Sequence, residues 1–214
     1  LINFENQNQE LFSILKNDDL FQLLKKSLSK NKYFNEISFN KNLSFLKKYD
    51  LIINTDYSNI ITKKYFSKRM VKKYECFAYT AIIKHHDIVN DIATQIFTKR
   101  GPLAFLPISN NETSVVYSIH DTKNKKKNKI EDLIKYYNFK YKIISIQKLD
   151  SFELKSFNLR SYYHNNILAF GDLLHRIHPL AGQGFNMTLR DISTLVDIIK
   201  NKHSLGLPID SLVN

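Results

Sequence analysis

Apolar positions recur along this chain in two periods, and the switch between them predicts the elements. In "NDDLFQLLKKSLSK" (17–30) Leu20, Leu23, Leu24 and Leu28 fall on one helical face behind Asp18 and Asp19, the pattern of an amphipathic helix with a capping carboxylate. "YDLIINTD" (49–56) is a short continuous apolar run, which predicts a parallel strand buried on both faces with Asp56 just past its carboxyl end. The texture then changes. "YECFAYTAIIKH" (74–85), "ATQIFT" (93–98), "LAFLPI" (103–108) and "TSVVYSIH" (113–120) are aromatic and β-branched runs split by polar or Gly-Pro punctuation, as in an antiparallel sheet. Ile130, Leu133, Ile134 and Tyr137 are spaced to pack a helix on that sheet, and weaker extended segments follow over 141–160. "NILAFGD" (166–172) restores the buried-strand pattern with Asp172 at its end, and Phe185, Leu189, Ile192, Leu195, Val196 and Ile199 then recur at helical spacing. The expected fold class is mixed α/β, with an antiparallel sheet inserted between two strand-bearing segments.

Composition narrows the classes. A chain of 214 residues with 43% hydrophobic and 13% aromatic content can bury a core. No stretch has the roughly 18 to 20 uninterrupted apolar residues of a membrane span, and the amino terminus carries no basic-then-apolar signal pattern. The single cysteine, Cys76, excludes an intramolecular disulfide or a multi-cysteine zinc site and reads as strand packing. The net charge of +12 points towards anionic partners, but only five of the 32 basic residues are Arg, so nucleic acid is not expected. The run "TKNKKKNK" (122–129) reads as a solvated loop or a lipid-headgroup patch.

Three of the five glycines fall in "GDLLHRIHPLAGQGFN" (171–186), which spans a strand end, a turn and the start of a helix. A helix amino terminus presents unpaired N–H groups and partial positive charge, and glycine lets a ligand approach the backbone closely. Gly182 and Gly184 would suit an anion or carbonyl there, with Asp172 accepting hydrogen bonds from hydroxyls at the strand edge. By spacing alone, a purely structural turn capped by Asp172 fits equally well.

The ordered pattern Gly-Asp…His…His-Pro-Leu-Ala-Gly-Gln-Gly-Phe-Asn…Arg-Asp resembles the second flavin-binding motif of the FAD-dependent aromatic monooxygenases, in particular the branch that hydroxylates prenylated phenols in ubiquinone biosynthesis. The resemblance implies that Asp172, beside Gly171, binds the ribityl hydroxyls of FAD. It also implies that Pro179, Gly182, Gln183, Gly184, Phe185 and Asn186 line the flavin ring, with His178 near it in the substrate pocket. "FTKRGPLAFLPIS" (97–109) resembles the family segment bordering the substrate cavity, where Pro102 and Pro107 would shape the pocket. "LIINTDYSN" resembles the Ala-Asp-Gly motif, with Asp56 reaching towards the flavin pyrophosphate and the pyridine nucleotide. The implied architecture is part of a three-layer FAD/NAD(P)-binding domain: 1–57 as its remainder, 58–160 as an inserted antiparallel substrate domain, and 161–214 as the returning FAD-binding strand, motif and helix. The implied chemistry is NAD(P)H reduction of FAD, oxygen addition at flavin C4a, and transfer of one oxygen atom from the hydroperoxide to the ring. The implied setting is cytoplasmic and peripheral to the inner membrane, with a prenylated phenol or quinone precursor as substrate and the membrane surface and a ubiquinone-biosynthesis complex as partners.

The pattern also departs from the family. Tyr57 stands where the family has glycine, and Phe157, Asn158 and Leu159 stand for Tyr-Pro-Leu. No Gly-x-Gly-x-x-Gly occurs and residue 1 is Leu, so the chain is expected to be a carboxyl-terminal fragment that holds FAD poorly alone. A non-catalytic or assembly subunit of the same fold, a flavin-dependent reductase and a basic binding module remain alternatives. His175 with His178, and His85 with His86, lack the partners of a metal site, so no metal is expected. Without a Gly-x-Ser-x-Gly elbow, nothing favours a hydrolase.

Overall fold

The computed structural model describes residues 11–38, 43–120, 127–176 and 183–209. In chain order these form α1 (Asn17–Leu28), a 3-10 turn (Leu43–Lys48), β1 (Ile52–Asn54), α2 (Ile60–Tyr65), β2 (Arg69–His85), β3 (Thr94–Thr98), β4 (Gly101–Ser109), β5 (Glu112–Ile119), α3 (Lys127–Tyr137), β6 (Ile143–Leu159), β7 (Tyr163–His164), β8 (Ile167–Ala169), a 3-10 turn (Gly171–Leu173), β9 (His175–Arg176) and α4 (Gln183–Ser204). The fold is mixed α/β with an antiparallel sheet, and the chain divides into two compact units.

The first unit comprises Leu1–Ile37 and Glu75–Glu153. Its sheet runs β3-β4-β5-β2-β6. Register stacks Tyr79 on Tyr117 and Ala81 on Val115, while Leu103 and Phe105 pair with the same two residues from the other side. Because strand side chains alternate, these residues share one face, where Ile130 and Ile134 of α3 join a single buried cluster. Burial of each large side chain contributes about 1.5 to 3 kcal/mol, so this face is the main source of the unit's stability. Each proline of β4 falls where one of its two ladders is missing: Pro102 pairs only with Phe97 of β3, and Pro107 only with Thr113 of β5.

α1 forms at the expected place, but Lys16 is its N-cap and makes no side-chain cap bond. Asp18 and Asp19 lie in the first turn, where carboxylates favour the helix dipole instead. Its apolar face is not covered: Leu23, Leu24 and Leu28 are exposed and no residue of the helix is buried. The lysine run 122–126 lies outside the described residues, whereas Lys127, Asn128 and Lys129 begin α3 and are not loop.

The second unit comprises Ser38–Tyr74 and Leu154–Asn214. β1 and β8 pair in parallel, Ile52 opposite Ile167 and Asn54 opposite Ala169, and β7 adds antiparallel to β8. Leu46, Ile61, Phe66, Leu159, Ile167 and Leu173 pack its core. The expected burial of β1 on both faces holds on one only: Ile53 is 46% exposed, while Asn54 is buried. β6 ends here against β9, Phe157 opposite Arg176. α4 packs against the Gly171–Leu173 turn, yet none of its residues is buried.

Candidate functional site

Parallel pairing brings two of the motif segments to one edge of the second unit. Phe170 N–H donates to the Asn54 carbonyl at 3.0 Å, so the chain leaves β1 towards Asp56 and β8 towards Asp172 from neighbouring strand ends. Gly171 has φ +60°, a left-handed conformation that side chains disfavour. Leu174 N–H donates back to its carbonyl at 2.9 Å, closing the turn. A Cβ on Gly171 would lie 3.8 Å from Thr188 Cγ2, which places the second turn of α4 beside this strand end.

The two carboxylates differ. Asp56 Oδ1 accepts from both the backbone N–H and the hydroxyl of Ser58, each at 2.7 Å, and these bonds hold its carboxyl below the usual aspartate range. Asp172 is exposed and has no hydrogen-bond or ion-pair partner among the described residues, and the turn it occupies has no side-chain cap. Its carboxylate is free to accept from hydroxyls.

On α4, Gln183, Phe185 and Asn186 are exposed, and a Cβ on Gly184 would meet nothing within 4 Å. His178, Pro179 and Gly182 lie outside the described residues. Tyr57 is 63% exposed and is not among the positive-φ residues, which are Glu75 and Asn165 outside glycine, so replacing the family glycine imposes no backbone strain. Pro102 and Pro107 belong to the first unit and, by strand alternation, point to opposite faces of β4, Pro107 being the buried one.

A polar cluster behind Asp56 was missed from the sequence. Buried Asn54 donates through Nδ2 to Thr62 Oγ1 at 2.7 Å and accepts at Oδ1 from Asn59 Nδ2 at 2.6 Å. Thr62 donates in turn to the Asp56 carbonyl, and Asn59 Oδ1 caps α2 by accepting from Thr62 N–H at 2.8 Å. The spacing Asn59-x-x-Thr62 ahead of the helix was the available signal. In the first unit, both ring nitrogens of buried His85 have protein contacts, the His86 carbonyl at 2.9 Å and Thr113 Oγ1 at 3.0 Å. Cys76 is buried with Sγ 3.0 Å from His120 Nδ1, and burial pushes its thiol pKa up. Among the described residues no three His, Cys, Asp or Glu side chains group as a metal site.

The strand ends, open turn and adjoining helix are the elements of a dinucleotide-binding edge. A family model described as an FAD binding domain matches residues 52–202, and the chain belongs to that family. It is similar to the 3-demethoxyubiquinol 3-hydroxylase of Escherichia coli, 31% identical over 122 residues that cover 54% of this chain and 31% of that protein. It is also similar to the mitochondrial ubiquinone biosynthesis monooxygenase COQ6 of Danio rerio, 23% identical over 204 residues that cover 76% of this chain and 42% of the relative. The matched stretch is thus less than half of either relative. Among solved structures, pqsL of Pseudomonas aeruginosa shares the fold with a TM-score of 0.55 at 16% identity, covering 77% of this chain and 49% of that one. No helix among the described residues is long and apolar enough to cross a membrane.

Proposed function

We propose that this chain is the flavin-facing portion of an FAD-dependent monooxygenase that hydroxylates the aromatic ring of a prenylated phenol in ubiquinone synthesis, with NAD(P)H as reductant. The observation that carries the proposal is the side-by-side exit of β1 and β8 beside α4, with a carboxylate on the turn that has no partner among the described residues. The residues fit the cofactor. Asp172 accepts from ribityl hydroxyls, Gly171 keeps the backbone approachable, and Gln183, Gly184, Phe185 and Asn186 offer the exposed first turn of a helix to the flavin ring. FAD, when bound, supplies the redox and oxygen-activating chemistry. The protein positions the substrate ring and excludes water, and no protein nucleophile is required.

Residues 1–57 and 161–214 are assigned to the cofactor domain and 58–160 to the substrate domain, with Pro102, Pro107 and His178 at the pocket, although the compact units group Leu1–Ile37 with the antiparallel sheet and Ser38–Tyr74 with the returning strand. A lipid-tailed substrate favours a peripheral membrane position, to which lysines near an anionic surface contribute about 1 kcal/mol each. A non-catalytic subunit of the same fold is the second reading, favoured by the engagement of Asp56 Oδ1 in its own turn.

The test is to purify the longest natural polypeptide containing this chain, record its flavin absorbance, and supply a prenylated phenol, NAD(P)H and oxygen-18. Bound FAD and a labelled hydroxyl support the reading. Flavin without label supports a reductase, and a colourless protein that binds no added FAD removes the cofactor assignment.

A further inference from the structure

The first five residues of β2, Arg69 to Lys73, are exposed one after another, so neither face of this stretch is covered by described residues. One edge of it is taken. β6 is its sheet neighbour there, with Arg160 N–H donating to the Lys68 carbonyl at 3.1 Å just before the stretch and the Tyr74 hydroxyl donating to Ser156 Oγ at 3.1 Å just after it. On the other edge the neighbour is β5, whose pairing with β2 covers Phe77 to Lys84 and goes no further. Among the described residues no strand continues along Arg69 to Lys73 on that side, so its outward N–H and C=O groups meet no ladder. Strand alternation puts Arg69, Val71 and Lys73 on one face, successive members about 7 Å apart, and Met70 and Lys72 on the other. Residues 57–74 and 154–171, which hold this stretch and the strand beside it, contain no Asp or Glu. Arg69 Cζ lies 5.6 Å from the Phe157 ring centroid and Lys72 Nζ 5.3 Å from that of Tyr74, contacts that hold both cations against the ribbon. Arg69, Lys72 and Lys73 take part in none of the ion pairs found among the described residues.

We infer that this edge is a docking site for an extended acidic segment of a partner protein, which adds to the sheet as a strand with carboxylates opposite Arg69, Lys72 and Lys73. Main-chain hydrogen bonds to an open edge give such a complex its affinity, and alternate side chains give it selectivity. Charge decides the occupant. A second copy of this chain would set cations directly opposite cations, which destabilises a strand pair, whereas an acidic strand sets opposite charges across each pair. A bilayer fits less well, because Met70 and Val71 project from opposite faces and leave no single apolar face to lie on it. Single-stranded nucleic acid needs rings to stack on, and the two beside this edge, Tyr74 and Phe157, already carry Lys72 and Arg69. None of these residues is assigned to FAD, so the site stands apart from the proposed chemistry.

The experiment titrates the longest natural polypeptide containing this chain with a capped peptide carrying Glu-Glu-Val-Ile-Glu, and with its Lys-Lys-Val-Ile-Lys counterpart. Two further acidic peptides are N-methylated at one or the other set of alternate residues. Saturable binding of the acidic peptide is expected, with slowed amide hydrogen exchange within residues 69–73. One N-methylated peptide should bind about tenfold or more weakly, because its methyl groups replace the N–H groups that face β2, while the other binds as the parent does. Lys72→Glu with Lys73→Glu should weaken the acidic peptide about tenfold or more and allow the lysine peptide to bind in its place. Equal binding of both N-methylated peptides would show charge attraction without strand pairing and overturn the inference. So would an absence of saturable binding, unchanged affinity in the double variant, or exchange at 69–73 that is already slow before peptide is added, since the edge is then occupied within the polypeptide itself. Displacement of the peptide by lower concentrations of anionic phospholipid vesicles or of single-stranded RNA assigns the edge to those partners and likewise overturns it.

Discussion

The hairpin of the first unit and the strand end of the second are both built on a glycine with positive φ, and they use it for different ends. At Gly101, φ is +140° and a Cβ would lie 2.1 Å from the Ser118 carbonyl oxygen, so two backbones meet with no room between them. At Gly171, φ is +60° and the nearest atom to a Cβ is a methyl at 3.8 Å. One glycine is required by packing and the other by conformation next to open space. The acids repeat the contrast within the second unit, where Asp56 is tied into its own turn and Asp172 is not. Packed-in polar and glycine residues serve the fold; those left open at a strand end are available to a ligand.

The contrast is broken most severely at Gly101. Gly101→Ala meets backbone rather than a movable side chain and is expected to cost about 3 kcal/mol or more, measured by denaturant unfolding. A loss no greater than a surface substitution would show that the hairpin adjusts and that Gly101 is not structurally fixed. Asn54→Ala should come next. It removes the acceptor of Asn59 Nδ2 and the donor to Thr62 in a buried network, at an expected cost of about 1 to 3 kcal/mol. An unchanged midpoint would mean that water replaces the side chain and that the network does not brace the Asp56 turn.

The sequence made the two classes of region legible in unequal measure. The aromatic and β-branched runs at 103–108 and 113–120 specified the sheet, whereas its buried face, with Leu103, Phe105, Val115 and Tyr117, is decided by the side on which α3 packs. The motif at 171–186 marked the strand end and the helix after it, and the register of β1 with β8 sets the strand ends that lead to Asp56 and Asp172 side by side, a pairing no sequence period encodes. Amphipathic spacing in α1 and α4 predicted helices correctly but not burial, since periodicity states which face is apolar and not what covers it. The three-residue β1 was read from its apolar run, whereas the burial of Asn54 depends on partners five and eight residues away along a turn. The Tyr65–His164 stack joins residues 99 apart, which only the folded chain brings together.

Asp172 sharpens the contrast through binding instead of stability. In a polypeptide that retains flavin, Asp172→Ala is expected to leave the unfolding midpoint unchanged, because no described residue depends on the carboxylate, while weakening FAD by about tenfold through lost hydroxyl contacts. Flavin affinity is read by fluorescence titration. An unchanged affinity would remove the ribityl role, and a loss of stability would return Asp172 to the structural class.

Asp56 is expected to show the smallest effect, and pH separates it from Asp172. The Ser58 N–H and hydroxyl favour its ionised form, so its folded pKa lies below the ordinary 3.8. A depressed carboxyl pKa means that the unfolded chain binds the proton first as pH falls. The contribution is therefore present above about 3.8 and is lost as pH drops through the lower folded value. Because the side chain is fully exposed, solvent screens the interaction and the effect stays small. Asp56→Asn keeps an oxygen acceptor for Ser58 but cannot titrate, so the variant should lose stability less steeply on acidification than the parent. Denaturant midpoints measured on both sides of that pKa check this; parallel acid limbs would show that the Ser58 bonds do not favour the ionised carboxyl, and the difference between the two strand-end acids would then lie in geometry alone.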